Sequence, residues 1–473
     1  MSSPTGLKRS IGFRDLALFY VVSGLSIRWI ATAAAAGPSV LVIWIVALLC
    51  FFIPLAASVM ELSSRYPQEG GIYIWAEQAF GEFAGFITAW TYWMSNLPFF
   101  AAVLYFSAAS TLFAFGPHAQ RLAASPVYFM IYAVMWLAII TLVNIVGLDV
   151  GKWLNNFTSL GGIVPLAFVI ALGAISYAHF GSAVHFTAAS IQPHWSISNA
   201  IFWSTVFFAF VGLESGSAMG DEIRNPRRTV PWALLAGGSV MAIGYIAGTA
   251  AMLVAVPGDA MSGPDGLISG VRALCAHLGF LWLLAPMALL IALNGVGGAA
   301  AFLSSTSRLP FVAGIHNYLP PVFGRIHPRF KTPWVAIGVY GLAGMLTALL
   351  GQAGTNVRGA YDALVGMSVL ATFIPFLFLF GAMIRVQCRA TEAGVMRVPG
   401  GRPVAIVLAL LGLASTVATI VLSTIPADDD PHPALAVVKI IGLTIVLVAG
   451  GVLAFAIARY KQRKLGLKQG ESA

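Results

Sequence analysis

Residues 22–33 read VSGLSIRWIATA, and this stretch decides the fold. It lies inside a long apolar run, yet it carries two serines, a glycine and an arginine. An arginine at the centre of a bilayer helix costs about 2.5–3.5 kcal/mol on insertion scales, so its presence calls for a partner or a purpose.

The surroundings establish that a bilayer is the solvent. The chain has 473 residues, 59% hydrophobic and only 9% charged, against about 25% charged in soluble domains. Segments of at least about 18 mostly apolar residues recur along its length, each able to span the hydrocarbon as a helix. Barrel strands would instead alternate over about ten residues. About twelve spans follow, at roughly 14–35, 39–61, 82–114, 126–147, 151–177, 199–219, 230–256, 279–311, 332–351, 359–386, 403–424 and 435–459. Pro, Gly and charge clusters such as RYPQEGG, RNPRRTVP, RIHPRFKTP and IPADDDPHP punctuate them. The first apolar segment follows a short basic N-terminus with no small-residue cleavage site and is expected to be retained.

With the N-terminus in the cytoplasm, inner loops and tails hold about 21 Lys and Arg, and outer loops hold Arg121, Arg272 and Arg358. Such asymmetry supports the helix count and cytoplasmic termini. It also explains the net charge of +9 without any nucleic-acid partner. Cys50, Cys275 and Cys388 are far apart and match no metal or disulfide spacing. His179, His185 and His194 in one outer loop, and Asp428, Asp429 and Asp430 in another, read as solvated surface. A membrane-embedded enzyme would need His, Asp or Glu clustered on one cavity, and a channel a repeated charged ring; neither pattern is present.

The opening stretch has a counterpart. Residues 208–222 read FAFVGLESGSAMGDE, so VSGLS and FVGLE are Gly-centred interruptions five spans apart. Inverted-repeat transporters break the first helix of each repeat near the bilayer midplane. Unwinding there frees backbone N–H and C=O groups that lipid cannot satisfy, so they must face a polar ligand or a cavity. Close packing of small residues is the alternative for one such helix; two at matching positions, each beside an ionisable residue, favour a binding site.

Three motifs then resemble the amino acid–polyamine–organocation superfamily of permeases, over roughly residues 12–390. FVGLESGSAMGDEIRNPRRTVPWAL (211–235) is similar to the family's sixth-helix signature. ELSSRYPQEGGIYIWAEQAFG (61–81) looks like the loop after the second helix, and its Pro-x-Glu-Gly-Gly form leans toward the glutamate/GABA antiporter-like branch. SSTSRLPFVAGIHNYLPPVFGRIHPRFKTP (304–333) looks like the end of the eighth helix. The resemblance implies an all-α integral membrane protein with a LeuT-like 5+5 inverted repeat and broken helices 1 and 6. Residues 1–390 would form the transporter core, with repeats at about 14–177 and 199–386. Residues 391–473 would add two helices and a basic cytoplasmic tail that support the core or a homodimer contact.

The same resemblance implies alternating-access transport of an amino acid or close analogue by proton symport or exchange, with no cofactor. The alternatives are a polyamine or organocation permease, and a transporter-like sensor without turnover. The substrate carboxylate would meet backbone N–H groups around Gly24, Leu25 and Ser26. Its ammonium would meet carbonyls near Val22, Phe208 and Val211, and Ser23 and Gly212 complete the expected binding residues. Phe208 falls where relatives place an aromatic gate, Asn96 at a polar position of the third helix, and Glu214 at a coupling carboxylate.

Arg28 departs from the family, where apolar or aromatic residues are common. It is a fork of donors suited to carboxylates and keeps its charge. Three roles stand open: a ligand for a substrate carboxylate, a partner of Glu214, or a structural cation away from the site. One Arg beside one Glu argues against polyamines. Sodium-coupled relatives bring hydroxyl ligands from the middle of the eighth helix, which here reads LNGVGGAAAF (293–302), so no sodium requirement is expected. At the inner surface Glu61, Arg65, Glu69, Asp221, Glu222, Arg224 and Arg227 form oppositely charged clusters; as exposed pairs worth about 0–1 kcal/mol each they could form a cytoplasmic gate that opens readily, and a plain solvated inner face is the equal alternative.

Overall fold

The computed structural model describes residues 6–256, 261, 264–352, 357–389, 394–425 and 433–470. Among them, ten helices are long and apolar enough to cross a membrane, and two shorter apolar ones, Asn199–Phe208 and Trp334–Leu350, stand in sixth and ninth place. Each of the twelve expected spans overlaps one of these helices. Large apolar side chains such as Ile131, Leu142, Ile243, Leu350, Val407 and Leu453 are exposed around the bundle. Their solvent is lipid, because a water-facing surface this apolar would associate.

Burial sorts the spans into centre and periphery. In the third span, Glu82–Leu112, 89% of the most apolar window is buried; in the last, Thr444–Lys464, the figure is 11%. The third span packs most extensively against Val357–Val386, the tenth, and Leu284–Thr306, the eighth. The eighth in turn packs on Leu148–Phe180, the fifth. The N-terminal half of the first span, Phe13–Gly24, is enclosed by the fifth, the eighth and the seventh, Pro226–Ala255. Small residues allow these close approaches. Any Cβ added at Gly237 would collide with Tyr20, and one at Gly297 with Thr158 and Val22.

Both interrupted segments are broken. The first span consists of Phe13–Gly24 and Arg28–Ala34, separated by Leu25–Ile27. The sixth is helical over Ile197–Phe208, turns through Ala209–Glu214, and continues as a 3₁₀ segment, Ser215–Glu222. On the side of the bundle that holds the N-terminus, the Ser10 and Ile11 N–H groups donate to the Glu222 carbonyl and Arg224 N–H donates to Ile11. A parallel bridge, Ile11 to Ile223, thus ties the entry of the first span to the exit of the sixth. Asp428, Asp429 and Asp430 lie outside the described residues. His179, His185 and His194 are exposed.

Candidate functional site between the two broken helices

At the first break, protein groups cap most of the freed backbone. Leu25 N–H donates to Val21, and Ser26 N–H donates to the Tyr245 hydroxyl at 3.0 Å; that hydroxyl donates to the Gly24 carbonyl at 2.7 Å. Asn294 works the same way from the eighth span, accepting from Ile27 N–H at 3.4 Å and donating to the Leu25 carbonyl at 3.2 Å. The N–H groups of Leu25 and Ser26, expected to be free for a carboxylate, are therefore engaged in this conformation. The buried side-chain polar atoms left without a partner around this break are the Ser23 and Ser26 hydroxyls and, at the start of the helix that follows, Arg28 Nε and Nη1.

The sixth span meets the first at Gly212. Its φ of 129° suits glycine alone. A Cβ there would lie 3.0 Å from the Ser23 carbonyl and 3.1 Å from Gly24 Cα. The two breaks are in direct backbone contact. Glu214, buried just beyond, accepts from the Tyr92 hydroxyl and from Gly212 N–H. Its carboxylate is held by the third span and by its own turn, so the pairing with Arg28 considered from sequence does not occur here.

A cavity lies beside this contact. Ser23, Gly24, Ser26, Asn96, Phe208 and Val211 line it, all expected site residues, and Trp29, Phe99, Ala209, Phe302 and Thr372 complete it. Its volume, about 20 Å³ to the centre of a water-sized sphere, holds about one water molecule. Aromatic rings contract it. Phe208 stands edge-on to Trp29 at 5.8 Å, and Phe99 edge-on to Phe302 at 4.9 Å. Asn96 turns its amide N–H to the Tyr92 carbonyl. Val22 and Leu25 point away from it: Val22 faces Gly297, and Leu25 faces Gly162 and Gly244. Arg28 sits one layer behind, its guanidinium carbon 4.4 Å from the Trp29 ring centroid and 5.5 Å from that of Phe99. Tyr245, Tyr92 and Thr372 escaped the sequence reading, and Asn294 was given no site role by it, because each lies in a different span and nothing next to it in sequence points to the break.

On the N-terminal side of the bundle lies a buried charge cluster. Arg308 donates through Nε and Nη2 to the two oxygens of Glu222, each at 3.0 Å, and its Nη1 donates to the Ser304 carbonyl. A Glu69 oxygen lies 3.9 Å away, and the other accepts from Asp221 N–H at 2.9 Å. Arg308, Glu69 and Glu222 are all 2% exposed or less. The expectation of exposed, weak pairs is thus corrected for Glu61, Glu69, Asp221 and Glu222, all of them buried. The cation of Glu69 and Glu222 is Arg308, which neighbours in sequence did not reveal. Burial raises both carboxyls above the usual range, the Glu222 charge raises Glu69 further, and Arg308 opposes these effects. The three motifs that carry the resemblance converge here: Glu69 from the first loop, Glu222 from the sixth-span signature, Arg308 from the end of the eighth. Glu61 and Arg65 pair separately within one helix, Glu61 also accepting from Gln387 and Val398 N–H. The Arg224 side chain is exposed.

Comparison with known proteins agrees with this architecture. A family model described as "Amino acid permease" matches residues 11–452. An uncharacterized transporter of Legionella pneumophila is 26% identical over 95% of both chains. A probable agmatine/putrescine antiporter of Lactococcus lactis is 23% identical over 85% of this chain and 84% of its own. The serine/threonine exchanger of Bacillus subtilis is 26% identical over 81% and 85%.

Proposed function

The chain belongs to the amino acid permease family, and from that premise we propose that it carries amino acids or close analogues by alternating access, as a proton symporter or exchanger. As an integral membrane transporter it is not an enzyme. The supporting observation is the cavity where the two breaks touch, with the Ser23 and Ser26 hydroxyls unpartnered and apolar rings around them. A few polar groups in an apolar shell suit a small zwitterion.

The rival substrate class is a polyamine, which relatives with such names transport. It would want carboxylates in the cavity, and among the described residues that line it there are none. Glu214 is the candidate coupling carboxylate, buried next to the break and linked to Tyr92. The proposed cycle starts from an occluded conformation. The buried Arg308–Glu222–Glu69 cluster closes the side taken as cytoplasmic, and Trp29 and Phe208 close the other. Substrate entry then requires the rings to part, since a space for one water admits no amino acid. We place residues 1–390 in the core with repeats at about 14–177 and 199–386, both termini in the cytoplasm, and residues 391–473 as a peripheral pair of helices and tail.

Counterflow in proteoliposomes tests this reading. Purified protein loaded with a mixture of amino acids should accumulate at least one labelled amino acid in exchange. Accumulation of labelled putrescine or agmatine alone would overturn the amino acid assignment. Binding detected by thermal shift with no counterflow would make the protein a sensor.

A further inference from the structure

We propose that Arg28 recognises a side-chain carboxylate, which makes anionic amino acids the preferred substrates; this rests on the transporter reading above. Arg28 opens the second half of the broken first span and is 2% exposed. Three rings surround its guanidinium: Trp29 at 4.4 Å, Phe99 at 5.5 Å and Tyr361 at 6.0 Å, centroid to Cζ. Rings stabilise a cation through their faces, but they offer no acceptor to its in-plane N–H groups. Nε and Nη1 have no hydrogen-bond partner among the described residues. The nearest acid of the broken helices, Glu214, is engaged by Tyr92 and Gly212 instead.

The position of these two unpartnered nitrogens matters as much as their lack of a partner. Trp29 and Phe99, which hold the guanidinium, are also walls of the cavity. Expanding the cavity to hold an amino acid must displace these rings, and doing so uncovers the Arg28 fork. A carboxylate meets such a fork with two parallel charge-assisted hydrogen bonds. The Ser23 and Ser26 hydroxyls would then remain for the backbone end of the same ligand. An arginine retained only for packing would be a costly choice, because an unbranched apolar side chain fills an aromatic box without desolvating a charge. The same charge beside the cavity repels a polyamine.

The test compares isosteric pairs in counterflow: glutamate against glutamine, aspartate against asparagine, with succinate as an acid lacking the amine. The wild-type protein alone should prefer each acidic amino acid over its amide by about tenfold or more, the range of a charge-assisted contact. In Arg28→Met the acid-to-amide exchange ratio should fall by about ten- to a hundredfold. Arg28→Lys, which keeps the charge but not the fork, should fall between. Equal handling of acid and amide by the wild type overturns the proposal without any variant and leaves the transporter reading intact. An unchanged ratio in a monodisperse Arg28→Met protein overturns it too, as does a preference for succinate over both amino acids. Counterflow of no amino acid at all removes the transporter reading and this proposal with it.

Discussion

Removing the cation from the buried charge cluster tests whether that cluster is a gate. Arg308 makes two 3.0 Å hydrogen bonds to Glu222 and lies 3.9 Å from Glu69, all three fully buried. Arg308→Met keeps much of the volume and leaves two buried acids without their cation. Breaking a buried pair from one side costs about 3–5 kcal/mol. That cost falls on the closed state alone if opening lets water reach the acids. At about 1.4 kcal/mol per decade, the closed-to-open ratio should fall by about a hundredfold to more than a thousandfold. The readout is labelling of Ala218→Cys, buried under the cluster, in a background lacking Cys50 and Cys275 and retaining exposed Cys388 as control. A membrane-impermeant maleimide applied to inside-out vesicles should label position 218 much faster in the Arg308→Met protein, with Cys388 unchanged. Adding Glu222→Gln should recover part of the loss, because the second buried charge is then gone. Equal labelling of position 218 with and without Arg308 would refute the gate, and faster labelling only from the opposite face would show that the charges lie on the outer side.

Four further outcomes follow from the same geometry. Burial raises Glu69 and Glu222 in the closed cluster, whereas water in an open gate returns them to about 4.3. The closed state thus binds more protons above the ordinary carboxylate range, so acidification stabilises it and closure is lost as pH rises through the raised values. Labelling at position 218, normalised to Cys388, should slow from about pH 8 to about pH 5, and Glu69→Gln should flatten the profile. Gly212→Ala should lower the melting temperature by an amount equivalent to about 1–3 kcal/mol, because its φ of 129° and the 3.0 Å approach to Ser23 leave no room for a methyl group; an unchanged melt would show that the breaks can separate at no cost. Tyr245→Phe, which leaves Ser26 N–H and the Gly24 carbonyl only their mutual 3.1 Å contact, should cost about 0.5–1.5 kcal/mol, read by thermal or denaturant melting. Uptake should be unaltered when sodium is replaced by choline at fixed pH, since Asn294 in the middle of the eighth span is occupied with the backbone of Leu25 and Ile27; abolished uptake would sink that expectation.

The primary sequence was sufficient wherever the physics is local. Apolar length sets which segments cross the bilayer, and VSGLS and FVGLE interrupt helices because glycine and small polar residues leave a segment too weakly determined to stay helical without packing. Family motifs pointed to Ser23, Gly24, Ser26, Asn96, Phe208 and Val211, and these six line one cavity. Packing across distant spans decided the rest. That the breaks touch at Gly212 depends on how the first and sixth spans cross, and capping of the first break depends on Tyr245 and Asn294, more than two hundred residues away. The charge cluster was half legible: Glu69 and Glu222 stood out, but their partner Arg308 comes from another span, and only packing of the spans buries the three charges together. Arg28 shows the same division. Its cost in a bilayer is plain from sequence, while its aromatic box and the missing acceptors at Nε and Nη1 exist only once Phe99 and Tyr361 are brought beside it. Hydrophobic partition is a sum over one segment, whereas a side chain's partners are set by which segments meet.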